Sequence, residues 1–314
     1  MKEMPAKPRT QMKGVFMLLA TSLIWGAAFI AQSIGMDSID AFTFNGVRSV
    51  LAVLALLPVV LWRWRGGMVP GNAPASGGRA NNPHDAYRRK LLRYGITLGI
   101  VFFTASNLQQ FAFYYTSAGK IAFLTALYIF FVPLLGLPFG KRIPKLMWPC
   151  VFAGFISLYF LCIRPGESFS LNRGDILAFL CSVFFAMQIL LIERFTKEVD
   201  GVELSFIQLA VAGALALIAM FLFETPSLSA IYEARMPLLY AGILSSAVAY
   251  TLQIVGQIYT EATLASLIMC MESVFALVTA ALILHEYMNT RELFGCVLLL
   301  GAIVAGTLVS GRSS

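Results

Sequence analysis

LQQFAFYYTSA (residues 108–118) recurs as LQIVGQIYTEA (residues 252–262), 144 positions further along the chain. Leu108-Gln109, Tyr115-Thr116 and Ala118 fall on Leu252-Gln253, Tyr259-Thr260 and Ala262, five identities in eleven positions. A second offset of 160 places Gly14 on Gly174, Ser22 on Ser182 and Trp25 on Phe185. The two offsets differ because the intervening loops differ in length. An internal repeat resets the architecture to be expected, so its unit must be counted before anything else is read.

The unit is counted from apolar runs. The chain has 314 residues, 59% hydrophobic and 12% charged, with mean hydropathy +0.79. Globular proteins carry roughly 25% charged residues, and a bilayer-spanning helix takes about 20 apolar ones. Runs bounded by charge, glycine or proline place spans near 14–34, 40–62, 91–115, 120–140, 146–163, 174–193, 201–222, 236–258, 264–285 and 291–310. Continuous runs such as Val50 to Leu61 exclude a membrane β-barrel, whose strands alternate apolar and polar residues. Soluble, secreted and nucleic-acid-binding classes are excluded with it.

Ten spans in two copies make five spans per copy, and five is odd. A second copy must therefore enter the membrane from the opposite side. The expected fold is an all-α membrane protein: ten transmembrane helices as two inverted five-helix repeats around a central cavity. The expected division is an N-terminal tail (1–13), a first repeat (14–163) with a flexible loop at 63–90, and a second, inverted repeat (174–310). Inverted repeats are characteristic of secondary transporters, because two such halves exchange conformations about a midplane site.

Charge placement sets the orientation. With a cytoplasmic N-terminus, 17 of the 23 Lys and Arg residues lie on the cytoplasmic side and five outside. Arg48 lies within a span. The net charge of +7 is then a positive-inside signal, and both termini are expected in the cytoplasm. Residues 66–86, rich in Gly, Pro and Asn, read as a flexible polar connection. The first apolar run exceeds the 7 to 15 residues of a signal-peptide core, so it is expected to stay as a helix.

Metal and cofactor sites find no support in residue spacing. Cys150, Cys162, Cys181, Cys270 and Cys296 all lie in apolar runs as expected packing residues, and His84 and His285 lack ligands at metal-binding spacing. No cofactor is expected. An intramembrane enzyme is a competing class, but an Asp-rich magnesium cluster, H-E-x-x-H and G-x-S-x-G are all missing from the sequence. A nucleotide-driven pump would need G-x-x-x-x-G-K-[ST], which is also missing.

Polar groups at membrane depth are costly and mark cavities or interhelical contacts. Counted from the outer ends of the spans, Trp25, Arg48, Asn107 and Tyr128 form a layer roughly 12–14 Å deep. Glu272, Gln188, Gln208 and Tyr250 form another at roughly 20 Å. Helical spacing puts Asn107, Gln110 and Tyr114 on one face and Tyr250, Gln253 and Gln257 on another, both expected to look inward. The candidate substrate-binding set is Trp25, Arg48, Asn107, Tyr128, Gln188, Tyr250, Gln253 and Glu272. For any single amide, interhelical hydrogen bonding is an equal reading.

Arg48 and Glu272 are the strong charges placed deep in spans, and three roles stay open for them. They form a fixed ion pair, they recognise a charged substrate, or Glu272 carries a coupling proton, since burial disfavours an ionised carboxyl group. Trp25 and Tyr128 lie deep enough for their rings to meet an apolar or cationic substrate. A modest-sized organic solute suits such a cavity better than a bare ion.

Taken together, Ser22-Leu23-Ile24-Trp25-Gly26, Phe44 to Arg48, Tyr115-Thr116-Ser117-Ala118, Glu272-Ser273-Val274-Phe275-Ala276 and Glu286 resemble the drug/metabolite transporter superfamily, specifically ten-helix EamA-type proteins. The resemblance spans residues 13 to 310. It implies a secondary transporter, often an exporter of amino acids, metabolites or toxic solutes, in the inner membrane of a prokaryote. It also implies that spans five and ten lie away from the cavity. Expected partners are a small-molecule substrate and membrane lipids, with no nucleic acid, and the protein is a monomer or homodimer. A flippase for lipids or lipid-linked sugars keeps the same fold and remains an alternative. Where the family commonly has Glu-Pro in span nine, this chain has Glu272-Ser273, so no break is expected there, whereas Pro133 predicts one in span four.

Overall fold

The computed structural model describes residues 8–65, 83–140, 143–163, 172–283 and 289–313. His285, Glu286, Arg164, Lys141-Arg142, the tail before Pro8 and loop residues 66–82 lie outside them, as do the side chains of His84 and Cys162. The described residues are helical, with no strand among them. In chain order the helices are α1 (Pro8–Met36), α2 (Ala41–Arg65), α3 (Pro83–Ala112), α4 (Ala118–Thr125), α5 (Tyr128–Gly136), α6 (Met147–Cys162) and α7 (Arg173–Phe195). They continue with α8 (Gly201–Phe223), α9 (Leu228–Glu233), α10 (Arg235–Leu239), α11 (Tyr250–Gln257), α12 (Ala262–Met269), α13 (Met271–Ile283) and α14 (Thr290–Ser313).

These assemble into ten spans. Among the described residues nine helical segments are long and apolar enough to cross a bilayer, and Met147–Leu161 supplies a shorter tenth. Span four joins α4 to α5, and span nine joins α12 to α13. Span eight joins α10 to α11 through the wider π winding of Tyr240–Ala249. A β-carbon on Gly311, near the end of α14, would sit 3.6 Å from Gln11 Oε1 in α1. The start of α1 and the end of α14 therefore lie on one face, as an even number of crossings requires.

Helix starts follow capping chemistry. Asn172 and Asp175 form a reciprocal capping box on α7, and the Asp200 carboxylate accepts from the Val202 and Glu203 amides at the start of α8. The α2 start is capped from the other repeat. Glu224, just past α8, accepts from the Phe42 and Thr43 amides at 2.8 and 2.7 Å. A carboxylate there also complements the positive end of the helix dipole.

The repeat is visible in packing. Gly14 of α1 lies against Thr260 and the Gly256 carbonyl, while Gly174 of α7 lies against Thr116 and the Ala112 carbonyl. Each member of one contact is the repeat equivalent of a member of the other, at offsets of 160 and 144. Small residues let backbones approach closely in membranes, where packing replaces the hydrophobic effect as the association force. Gly26 faces backbone of α13, since a β-carbon there would lie 2.7 Å from the Ala276 amide nitrogen and 2.8 Å from the Phe275 carbonyl carbon. Backbone atoms cannot move aside as a side chain can. Gly26→Ala is therefore expected to push α1 off α13 and cost about 1–3 kcal/mol, measurable as a lowered melting temperature of the purified protein.

Both broken spans depart from expectation. Span four breaks at Ala126-Leu127, well before Pro133, and α5 runs through Pro133 to Gly136. Span nine also breaks, at Cys270, although no proline is near. Ala126 and Cys270 are repeat equivalents. At both sites the chain tightens, with Leu127 N bonding Leu124 O at 3.2 Å and Ser273 N bonding Cys270 O at 3.1 Å. The residues flanking the breaks line the central cavity, where irregular backbone is tolerated.

Candidate functional site

The cavity is built by residues of both repeats and has a volume of about 40 Å³. Its sixteen lining residues fall into a pattern. Trp25 and Phe185, Ala28 and Gln188, Phe29 and Ile189 are equivalents at the offset of 160; Gln109 and Gln253, Thr125 and Met269, Tyr128 and Glu272 are equivalents at 144. Twelve lining residues thus form six symmetry-related pairs, which places the cavity on the pseudo-two-fold axis. The remaining four, Gln32, Arg48, Ser245 and Tyr250, line it without a lining counterpart. Helices α6 and α14 contribute nothing to it and pack on each other, with Gly295 against Leu161 and the Ser157 carbonyl.

Seven of the eight sequence candidates line this cavity: Trp25, Arg48, Tyr128, Gln188, Tyr250, Gln253 and Glu272. Asn107 does not, because it accepts from Asn45 Nδ2 at 2.8 Å and donates to the Phe103 carbonyl at 2.8 Å. It is an α2–α3 contact. The inward face proposed for span three is likewise corrected. Tyr114 is exposed and bonds Asp40 Oδ1 at 2.9 Å, and Gln110 is buried away from the cavity. Gln109 is the lining residue of that helix, and it donates to Thr125 Oγ1 at 3.1 Å. Its signal stood in the repeat, where Leu108-Gln109 matches Leu252-Gln253. On the opposite face, Gln257 donates to the Ile189 carbonyl and packs outside the cavity lining. Gln208, repeat equivalent of Arg48, accepts from Gln188 Nε2 at 3.1 Å behind the lining.

The two deep charges do not form an ion pair. Tyr128 Oη donates to Glu272 Oε1 at 3.3 Å, joining repeat equivalents across the axis. Arg48 Nη1 donates to Gln32 Oε1 at 3.4 Å, and its guanidinium lies 5.7 Å from the centre of the Phe44 ring. Depth along a helix carries no information about azimuth, so two charges placed deep in spans need not meet. Two further buried charges, overlooked at depth because they lie near span ends, do pair: Lys120 Nζ and Asp175 Oδ2 are 2.8 Å apart.

Around this centre the π stretch holds α1. The Ser245 carbonyl accepts from Trp25 Nε1 and the Ala249 carbonyl from Thr21 Oγ1, both at 3.2 Å. Tyr250 packs its ring 4.8 Å from Trp25 and 4.6 Å from Phe102, centre to centre. π winding shifts backbone hydrogen bonds out of the α register, and such stretches recur at functional sites.

Polar ties join the two repeats at each face. On the face that carries the chain ends, Arg63 pairs with Asp200 and Lys90 with Glu198, while Trp64 and Tyr87 both donate to Glu203. Lys90, helped by the Tyr94 hydroxyl, holds the Glu198 carboxyl below the usual carboxylate range, so this tie stays ionic into mild acid. On the other face stand Lys120–Asp175 and the Glu224 cap on α2.

The fold is that of a ten-span, inverted-repeat membrane protein with a polar cavity on its symmetry axis. The chain belongs to the EamA-like transporter family, whose model matches residues 12–163 and again 172–307. It is similar to an "Uncharacterized transporter" of Archaeoglobus fulgidus, 27% identical over 293 residues that cover 93% of this chain and 84% of the relative. It is also similar to the "Uncharacterized transporter YoaV" of Bacillus subtilis, 20% identical over 94% of this chain and 97% of the relative. A solved crystal structure superposes with a TM-score of 0.73 over 96% of this chain and 98% of that one, at 15% identity, a likeness of fold.

Proposed function

We propose that this protein is a secondary active transporter that exports a small organic metabolite or drug-like solute across a prokaryotic inner membrane by alternating access. Its units are the repeats 14–163 and 174–310, and both termini face the cytoplasm. The observation that carries the reading is the pairing of twelve cavity residues as repeat equivalents. A site on the axis relating two inverted halves is the one place that both halves can uncover in turn.

Trp25, Tyr128, Gln188, Tyr250 and Gln253 supply walls and orienting groups, Arg48 supplies charge, and Glu272 is the candidate for carrying a coupling proton. A water molecule needs roughly 10–15 Å³ measured in this way, so about 40 Å³ holds a few waters and no organic solute. The site is contracted, with polar ties between the repeats at both faces. Transport then consists of releasing one set of ties while the other holds, which widens the cavity toward one face at a time.

The test is counterflow in sealed proteoliposomes across a panel of metabolites. Saturable entry of labelled solute, accelerated by the same solute trapped inside, is the expected result. Absence of flux for every class, with a chemical product formed by the detergent-solubilised protein, would overturn the reading in favour of an enzyme.

A further inference from the structure

Four cavity residues break the repeat symmetry, and they include the cavity's permanent positive charge. The counterparts of Gln32, Arg48, Ser245 and Tyr250 are Ile192, Gln208, Val101 and Ser106, none of which lines the cavity. At the position equivalent to Arg48 the second repeat keeps a neutral amide, Gln208, bonded to Gln188. The framework therefore folds around a neutral residue in one repeat and an arginine in the other. The guanidinium is an addition to the scaffold.

Arg48 is 3% exposed, yet among the described residues no carboxylate lies within 4 Å of its guanidinium nitrogens. Its bond to Gln32 is long at 3.4 Å, and its Nε has no hydrogen-bond partner. Apart from that bond, Gln32 is held through its amide nitrogen, which donates to the Ala28 carbonyl at 3.3 Å. An intramembrane charge left this poorly partnered marks a functional group awaiting a counter-ion. A guanidinium offers a planar fork of donors that matches a carboxylate in bidentate fashion.

Resting on the transporter reading above, we propose that the transported solute is a monocarboxylate, and that Arg48 reads its carboxylate by displacing the weakly held oxygen of Gln32. One guanidinium balances one negative charge. A phosphate ester carries about −1.5 to −2, and its second charge would find Glu272 in the same cavity rather than a second cation. The tilted rings of Trp25 and Tyr250 provide an apolar wall for the body of the acid.

The experiment measures ligand-induced thermal stabilisation of the purified full-length protein. The probes are aromatic and aliphatic monocarboxylates, each alongside its primary amide and matched amine, with inorganic phosphate and succinate added. At least one monocarboxylate is expected to stabilise the protein saturably, while its amide, phosphate and succinate do not. Arg48→Gln is expected to weaken that binding at least tenfold. Arg48→Lys, which keeps the charge without the fork, is expected to fall between, and the exposed Arg65→Gln to bind as wild type. The comparison of acid with amide needs no variant, so it stands even if Arg48→Gln fails to fold. Equal stabilisation by amides or amines, silence of every monocarboxylate, or undiminished binding by Arg48→Gln would overturn the proposal. Binding of amines alone would sink the carboxylate and leave the transporter reading standing, whereas absence of counterflow for all solutes would sink that reading itself.

Discussion

Glu272→Gln is expected to abolish solute accumulation driven by a pH gradient in proteoliposomes while leaving the melting temperature within a few degrees of wild type. The replacement is close to isosteric and keeps an oxygen to accept from Tyr128 Oη, which now bonds Glu272 Oε1 at 3.3 Å. What it removes is the ability to gain and lose a proton at a site 4% exposed and facing the cavity. An amide also forfeits any charge-assisted bond to a solute, worth about 1.5–3 kcal/mol, or roughly a 10- to 100-fold loss of flux. Counterflow separates the two roles: exchange without a gradient survives if Glu272 only carries the coupling proton and fails if it holds solute. A melting temperature that falls along with flux would assign Glu272 to the scaffold instead.

Asp175→Asn is the substitution with the largest expected cost in stability, about 3–5 kcal/mol. Its carboxylate lies 2.8 Å from Lys120 Nζ, accepts from Thr116 Oγ1 at 3.1 Å and closes the capping box with Asn172. Both partners are buried, with side chains 8% and 2% exposed, so water compensates little when the charge is removed. The repeat indicates a repair. The equivalent positions hold Leu264 and Val15, an apolar pair in an equivalent place. Lys120→Leu with Asp175→Val is therefore expected to recover most of the loss, short of about 1 kcal/mol for the lost cap. Chemical denaturation in mixed micelles measures both. An Asp175→Asn protein within 1 kcal/mol of wild type would show that the pair is not a buried tie.

Much of this architecture was legible before any coordinates, because bilayer thickness and the parity of a five-span repeat leave few arrangements open. Depth, which helix rise converts directly from residue number, picks out Trp25, Arg48, Tyr128, Gln188, Tyr250 and Glu272, and helical spacing from Tyr250 adds Gln253. What depth could not supply was azimuth. Asn107 lies at the right level and turns toward Asn45, while Gln109, two residues on, turns inward. The breaks at Ala126 and Cys270 have no proline signature, since tertiary placement beside a polar cavity creates them. The π winding of span eight is similarly silent, its counterpart at residues 96–105 being ordinary α-helix. Gln32 and Ser245 carry no signal in the repeat, because the equivalent positions hold the apolar Ile192 and Val101.

Alternating exposure of the central cavity is tested most directly at Ser245, which lines it beside Trp25. In a protein whose five native cysteines are replaced, Ser245→Cys is to be labelled with a membrane-impermeant thiol reagent in right-side-out and inside-out vesicles separately. Modification from both sides, slowed in each case by transported solute, is the predicted result. Labelling from one side alone under all conditions, or from neither, would contradict it.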